Sequence, residues 1–475
     1  MAVDEFHEFA WPIARTCEYH LWSADATNRP ARLANHARTL WHVELQRATL
    51  SQYGTVRTVN ATVIVNARIV TLQSSVSNSP LPRRGEAMQN LTTIPMGFVR
   101  IRDGRITEVA AGSPTKSLDA EKIIDARGCV LLPGFVDCHT HACWTGDRLD
   151  EWEMKLAGRS YLDILAAGGG IMSTVRAVRA ASTQDLAEEL MQRLLEMAAY
   201  GTTTAEVKTG YGLETETELR MFDAIAHAAR HSPLRVAATF LGAHALDPLQ
   251  SDCVEKMIKE TLPAVAKRYS GITVDAYCET GAWSVVDCVR YFQQAKQHGL
   301  GIRVHTDQFN SLGMIPAALE LGAISVDHLE AATDADLDLV ARSKTIAVGL
   351  PATAFCLGTP CIQARKFIDA GGALALATNA NPGSAPVRAI PIVLSFAVRE
   401  MKMTPAEAIT SVTWNAACVL GMTDQCGSIA VGKSADIVLW PFKDERALGY
   451  ELSGALPEIV MAGGRVITPH SLDVG

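Results

Sequence analysis

Between residues 134 and 377, strand and helix signals alternate eight times. Short apolar runs recur at Gly134–Asp137, Thr202–Val207, Val236–Phe240, Val274–Tyr277, Ile302–His305, Ile324–Asp327, Thr345–Gly349 and Ala373–Ala377. Helical stretches separate them, among them Leu186–Ala199, Thr217–His227, Cys253–Arg268, Val285–Gln297, Met314–Leu321 and Cys361–Ile368. Mostly apolar strands are what a parallel sheet covered by helices requires. Eight such units favour closure into a (β/α)8 barrel of the TIM type, with an open doubly wound sheet as the alternative. No GxGxxG fingerprint follows the first strand, and the cluster Gly168–Gly170 lacks the Lys-Ser or Lys-Thr of a phosphate loop.

Short β-rich segments lie on both sides of this region. Ala61–Val65, Arg68–Leu72, Met96–Ile101, Ile106–Val109 and Cys129–Leu132 precede it, and Ile437–Trp440, Glu458–Met461 and Val466–Ile467 follow. They predict a small composite β-sandwich from residues 56–132 and 425–475, with the barrel, residues 133–424, inserted between its halves. The polar stretch Gln73–Asn90, with Pro80 and Pro82, reads as a loop or insertion. Residues 1–55 read as an attached extension, either loosely packed or docked, without catalytic spacing.

Composition narrows the class. Of 475 residues, 48% are hydrophobic and 20% charged, which excludes disordered and collagen-like chains. The net charge of -8 gives no pull toward nucleic acid. The N-terminus lacks a signal-peptide pattern and no run of about 18 apolar residues occurs, so no membrane partner is expected. The 11 cysteines are scattered without a CxxC pair and read as thiols of a reducing, cytoplasmic setting.

The strongest chemical signal is His139–Thr140–His141, directly after Pro133–Cys138. Residues i and i+2 at an extended strand end point the same way, so both imidazoles can face one ion. His305 ends the fifth candidate strand, His328 follows the sixth, and Asn379 and Asn381 follow the eighth. Barrel strand ends converge, and His139, His141 and His305 make a sensible platform for Zn²⁺ or a similar ion. Water at an open position of such an ion is readily deprotonated. A hydrogen-bonded core histidine is the plainer reading of His305 or His328 taken alone.

These motifs resemble the amidohydrolase superfamily and, within it, the imidazolonepropionases of histidine breakdown. The segments PGFVDCHTHACWTGDR, EWEMKLAG, AAGGGIMSTVRAVR, EVKTGYGLETETEL, FLGAHAL, YCETGAWS, HTDQF, DHLE and NPGSAP carry the resemblance, which runs from about Val56 to Gly464. It implies that His139, His141 and His305 bind one divalent metal, zinc or iron, and that His328 orients water or shuttles a proton. It implies that Arg148 binds the carboxylate, that Tyr211 and His244 hold the ring and propionate, and that Gln308 recognises the ring. It also implies a cytoplasmic homodimer acting on a small cyclic substrate that bears a propionate.

The residues leave plainer roles open. Arg148 could pair with Asp147, Asp150 or Glu151. Tyr211, between two glycines, reads as the aromatic tip of an exposed loop or as packing. His244 could donate to a substrate carbonyl or carboxylate, or be structural. Gln308 could serve only a loop hydrogen bond. Glu206 and Lys208 read as an internal ion pair, and Arg176 and Arg179 as surface or interface residues.

One position departs from the family pattern. ALALATNANPGSAP places Asn379 where the family has an aspartate that binds the metal and accepts the water's proton. An amide oxygen can coordinate but is a poor base. The function implied is hydrolysis of an imidazolone ring to N-formimidoyl-glutamate. The alternatives are desulfhydration of the thiohydantoin analogue, 3-(5-oxo-2-thioxoimidazolidin-4-yl)propionate, as in ergothioneine degradation, and ligand binding without catalysis.

Overall fold

The structure is a computed structural model that describes residues 61–73, 80–115, 122–159, 163–164, 167–452 and 454–467. The expectations for residues 1–55 lie outside the described residues. Eight parallel strands form one sheet in chain order: β6 (Phe135–Asp137), β7 (Thr202–Lys208), β8 (Arg235–Ala243), β9 (Thr273–Cys278), β10 (Gly301–Thr306), β11 (Ser325–His328), β12 (Ile346–Gly349) and β13 (Leu374–Leu376). Each matches one apolar run read in the sequence. The two ends of the sheet meet at the rim. There the Asn379 amide donates to the His139 carbonyl, and the His141 amide donates to the Ala380 carbonyl, both at 3.0 Å. The closed barrel is therefore the form adopted, and its seam passes through the HxH segment.

The helices around it bury one face each. In Thr183–Ala199, Leu186, Leu190, Leu194 and Met197 are buried at helical spacing, and Ser182 and Asp185 close a capping box. Truncating one such leucine costs roughly 2–5 kcal/mol. The helical run Cys253–Arg268 contains a π turn at Met257–Thr261. Pro263, which has no N–H to give, follows directly and disturbs the regular ladder. No described helix is long and apolar enough to cross a membrane.

The second sheet comes from both ends of the described chain. Its strands are β1 (Ala61–Val70), β2 (Thr93–Arg102), β3 (Arg105–Ala111), β4 (Lys122–Asp125), β5 (Val130–Pro133), β14 (Ile437–Trp440), β15 (Ile459–Ala462) and β16 (Arg465–Val466). The order is β16-β15-β14-β5-β1-β2-β3, with β4 also on β1. The expected sandwich takes the form of one sheet that curls, because Arg105 at the β3 edge bridges to Ser434, just before β14. Ile64, Val99, Ile101, Ile106, Leu131, Ile437, Leu439 and Met461 fill its core.

Two local readings change. Ala61–Val65 and Arg68–Leu72 belong to one strand, kinked where Asn66 takes φ 53° and the register with β2 shifts. The Gln73–Asn90 insertion contains a 3-10 turn, Gly85–Gln89, docked on the barrel: Met88 is buried and its carbonyl accepts from Thr410 Oγ1.

Only Gly134 separates β5 from β6. A Cβ there would lie 2.1 Å from Thr203 Oγ1, so a glycine is needed for the first two barrel strands to approach. This direct passage delivers the HxH segment to the barrel mouth.

Candidate functional site

His139 and His141 leave the end of β6, His305 lies on β10 and His328 ends β11. All four are buried. One nitrogen each from His139, His305 and His328 lies within 4.8 Å of the others. His141 joins through its Nε2, 3.2 Å from His305 Nε2. The strand ends thus bring the four histidines together, with His328 rather than His141 in the trio whose nitrogens all lie within 4.8 Å of one another.

Carboxylates fix the rings. Asp327 Oδ2 lies 2.6 Å from His139 Nδ1, and Asp275 Oδ1 lies 3.0 Å from His305 Nδ1. An ionised carboxylate only accepts, so each Nδ1 carries the proton and each Nε2 keeps its lone pair. His139 Nε2, His141 Nδ1 and Asn379 Oδ1 are buried and make no hydrogen bond among the described residues. Burial, with Lys208 and His305 nearby, holds the His139 pKa well below the ordinary value. Burial, then His244 and His305, does the same for His141. Neutral imidazoles with unshared lone pairs are the form that ligates a divalent ion. Donor chemistry and orphaned atoms therefore fit a metal held at this mouth.

Beneath the histidines lies a continuous chain of buried charges. Lys208 Nζ is 2.8 Å from both Glu206 Oε1 and Asp275 Oδ2. Arg303 reaches Glu206 Oε1 with one nitrogen and, at 2.7 Å, Asp327 Oδ2 with another. The Glu206–Lys208 ion pair read in the sequence is present, but as part of this longer chain from Asp275 to Asp327. Counted as ionised, the three carboxylates exceed the two cations by one negative charge, which favours a cation above them. Sequence reasoning missed Asp275, Arg303 and Asp327. The signal was strand alternation: Asp275 is two residues before Tyr277, and Arg303 two before His305.

Asn379 sits just past β13 with φ 54°. Its Nδ2 donates to Thr353 Oγ1 at 2.8 Å, which leaves the carbonyl oxygen as the atom without a partner. The site thus offers an amide oxygen where the family pattern has a carboxylate.

The remaining candidates line the mouth, with three corrections. Tyr211 is buried, not an exposed tip. Glu218 accepts the amides of Gly210, Gly212 and Leu213 at 3.1, 2.8 and 2.9 Å, and Arg179 donates to the Gly212 carbonyl, folding the loop inward. Gly210 takes φ 107°, and a Cβ there would lie 2.5 Å from the Leu241 carbonyl oxygen. Arg179 is therefore a brace for this loop rather than a surface or interface residue, whereas Arg176 reaches only the Gly168 carbonyl.

His244 stacks on His141 with centroids 4.9 Å apart. Its Nδ1 donates to the Gly210 carbonyl at 2.9 Å, and burial with His305 nearby lowers its pKa to about 3. The ring is neutral, so Nε2 accepts. The expected donation to a carbonyl or carboxylate becomes acceptance from an N–H.

Arg148 forms the ion pair anticipated with Glu151, Nη2 to Oε2 at 2.5 Å, and its Nη1 meets Thr174 Oγ1. Glu151 also holds Lys155 at 2.9 Å, so this trio retains one positive charge. The guanidinium lies against Gly383, where a Cβ would sit 3.5 Å from Nη1. Gln308 accepts from Tyr277 Oη at 3.0 Å.

A closed parallel barrel with neutral, carboxylate-braced histidines at its C-terminal mouth defines a metal-dependent hydrolase scaffold. The amidohydrolase family profile matches residues 130–467. The chain is 42% identical over 409 residues to an imidazolonepropionase of Herpetosiphon aurantiacus, covering 84% of this chain and 96% of that one. It is 40% identical over 425 residues to the imidazolonepropionase of Symbiobacterium thermophilum, covering 87% and 98%. Among solved structures, 5-methylcytosine deaminase of Klebsiella pneumoniae shares the fold, with TM-score 0.67 at 16% identity over 87% of this chain and 98% of that one. The chain belongs to the amidohydrolase family and is closely related within it to the imidazolonepropionases.

Proposed function

We propose that this protein hydrolyses a five-membered imidazolone ring carrying a propionate, opening a ring C–N bond to give N-formimidoyl-glutamate. The observation that carries the reading is the buried, carboxylate-braced histidine cluster in a chain 42% identical to an imidazolonepropionase over 84% of its length. His139, His141 and His305, with Asn379 Oδ1, would hold one divalent ion, zinc in the first instance and iron in the second. When bound, the ion supplies Lewis-acid polarisation and acidifies water.

The chain's own groups do the rest. His328 takes the water's proton as the C–O bond forms at the ring carbonyl carbon, whose bond to the ring nitrogen then breaks. It returns the proton to the ring nitrogen as the C–N bond breaks. Glu330, 3.2 Å from His328 Nδ1, orients that ring. Arg148 neutralises the propionate, Tyr211 closes over it, and His244 and Gln308 position the ring. The protein works as a cytoplasmic homodimer. The barrel at 133–424 is the catalytic domain, clasped by the composite β domain at 56–132 and 425–475.

Asn379 favours a second reading, desulfhydration of the thiohydantoin analogue, in which water's oxygen replaces sulfur and hydrosulfide leaves. Product-resolved turnover separates the two. Metal-loaded protein is offered each compound, with mass spectrometry and sulfide detection. Formimidoyl-glutamate supports ring opening. Sulfide and a hydantoin, without imidazolone turnover, support the second reading.

A further inference from the structure

Tyr277 has no role in the account above, yet it stands beside the reacting centre. It pairs directly with His305 in the β9–β10 register. Its ring centroid lies 6.0 Å from that of His305 and 6.4 Å from that of His244. Asp275, two residues earlier on the same strand, points inward to His305. Strand alternation therefore aims Tyr277 into the mouth one layer higher.

Its hydroxyl donates to Gln308 Oε1 at 3.0 Å. The backbone next to Gln308 is held as well: Glu279 accepts from the Phe309 and Asn310 amides at 2.9 and 3.1 Å and from Asn310 Nδ2 at 2.8 Å. A glutamine amide is a donor and an acceptor joined in one plane. Occupying its oxygen leaves its nitrogen as the group offered to a ligand.

We infer that Tyr277 is a specificity-determining residue that fixes the polarity of Gln308. The mouth then reads one ring edge with a donor, Gln308 Nε2. The substrate class selected is a five-membered ring presenting a carbonyl or thiocarbonyl toward Gln308. This rests on the imidazolone reading and sharpens it. A ring of the same shape without the exocyclic acceptor leaves the Gln308 donor unpaired, a fault that a site built for that bond rejects strongly.

The test uses full-length, metal-loaded protein and two unreactive probes, hydantoin propionate, which has the acceptor, and imidazole propionate, which lacks it. Dissociation constants are measured by calorimetry for wild type, Y277F, Q308A and the double variant, with metal content checked in each. Wild type prefers the hydantoin. Y277F narrows that preference by about tenfold, and adding Y277F to Q308A narrows it no further. A preference unchanged in Y277F, or effects of the two substitutions that simply add, overturns the role of Tyr277 alone. Wild type that binds neither probe and leaves imidazolone propionate intact overturns the imidazolone reading and this inference together.

Discussion

Arg303 is the counter-charge through which Asp327 holds His139: its Nη2 lies 2.7 Å from the same Asp327 oxygen that sits 2.6 Å from His139 Nδ1. With its other nitrogens it meets Glu206 and Ser325, and all five side chains are fully buried. Desolvating these charges is costly unless each keeps its partner.

Replacing Arg303 with Met takes the cation from buried Asp327 and leaves Glu206 with Lys208 alone. Losing one partner of a buried pair costs about 3–5 kcal/mol. R303M is therefore expected to lower Tm and to lose metal during dialysis, while R303K retains part of both. Thermal unfolding and metal analysis of the three proteins check this. An R303M that binds metal like wild type would show that the charge chain does not support His139.

Asn379→Asp restores an anionic ligand and a proton acceptor. General-base groups contribute on the order of 10²–10⁴-fold. N379D is expected to bind zinc more tightly and to open imidazolone propionate at least tenfold faster. Chelator competition and kcat at neutral pH are the measurements. An unchanged kcat would mean that His328 already carries the whole proton transfer.

Acid sensitivity follows from the mouth histidines. His139, His141, His244 and His305 are all held below the ordinary histidine value, His244 at about 3, with burial as the first cause in each. The unfolded chain binds protons near pH 6.5 and the folded chain does not, so stability is full above that pH and falls as pH drops through it. For His244 the loss runs from about pH 6.5 to about 3, at up to about 1.4 kcal/mol per pH unit. Urea unfolding of metal-free protein at several pH values should show the slope, and H244Q should reduce it. A slope unaffected by H244Q would remove His244 from the balance.

Glu218→Ala unties three backbone amides behind Tyr211. Each buried group left unpaired costs about 1–3 kcal/mol. The expected result is a lower Tm together with a raised KM for imidazolone propionate. A normal KM in the folded variant would show that the Tyr211 loop does not need this brace.

The barrel was legible because most of the eight strands are short, largely apolar runs between helical stretches, and β9 and β10 were read within one residue at either end. The histidine platform was legible for the same reason, since strand ends converge by topology. The charge chain was not, because Glu206 and Arg303 are 97 residues apart and nothing local pairs them. Alternation also misleads at β11, where Asp327 and His328 should face opposite ways. His328 escapes the rule through φ 87°, followed by Leu329 at φ 72°, so both side chains serve the site. Tyr211 was misread because flanking glycines suggest an exposed turn. The carboxylate that draws the loop inward lies a full helical turn into the next element.

The pairing of β5 with β14 has a consequence for synthesis. Leu131 and Leu132, which lead straight into the first barrel strand, find their neighbours in Leu439 and Val438. A nascent chain therefore carries an unpaired edge of its small sheet until residues 437–440 leave the ribosome. That edge is an invitation to wrong partners throughout translation. A stop codon between Leu376 and Ile437 would leave all eight barrel strands present but the clasp open.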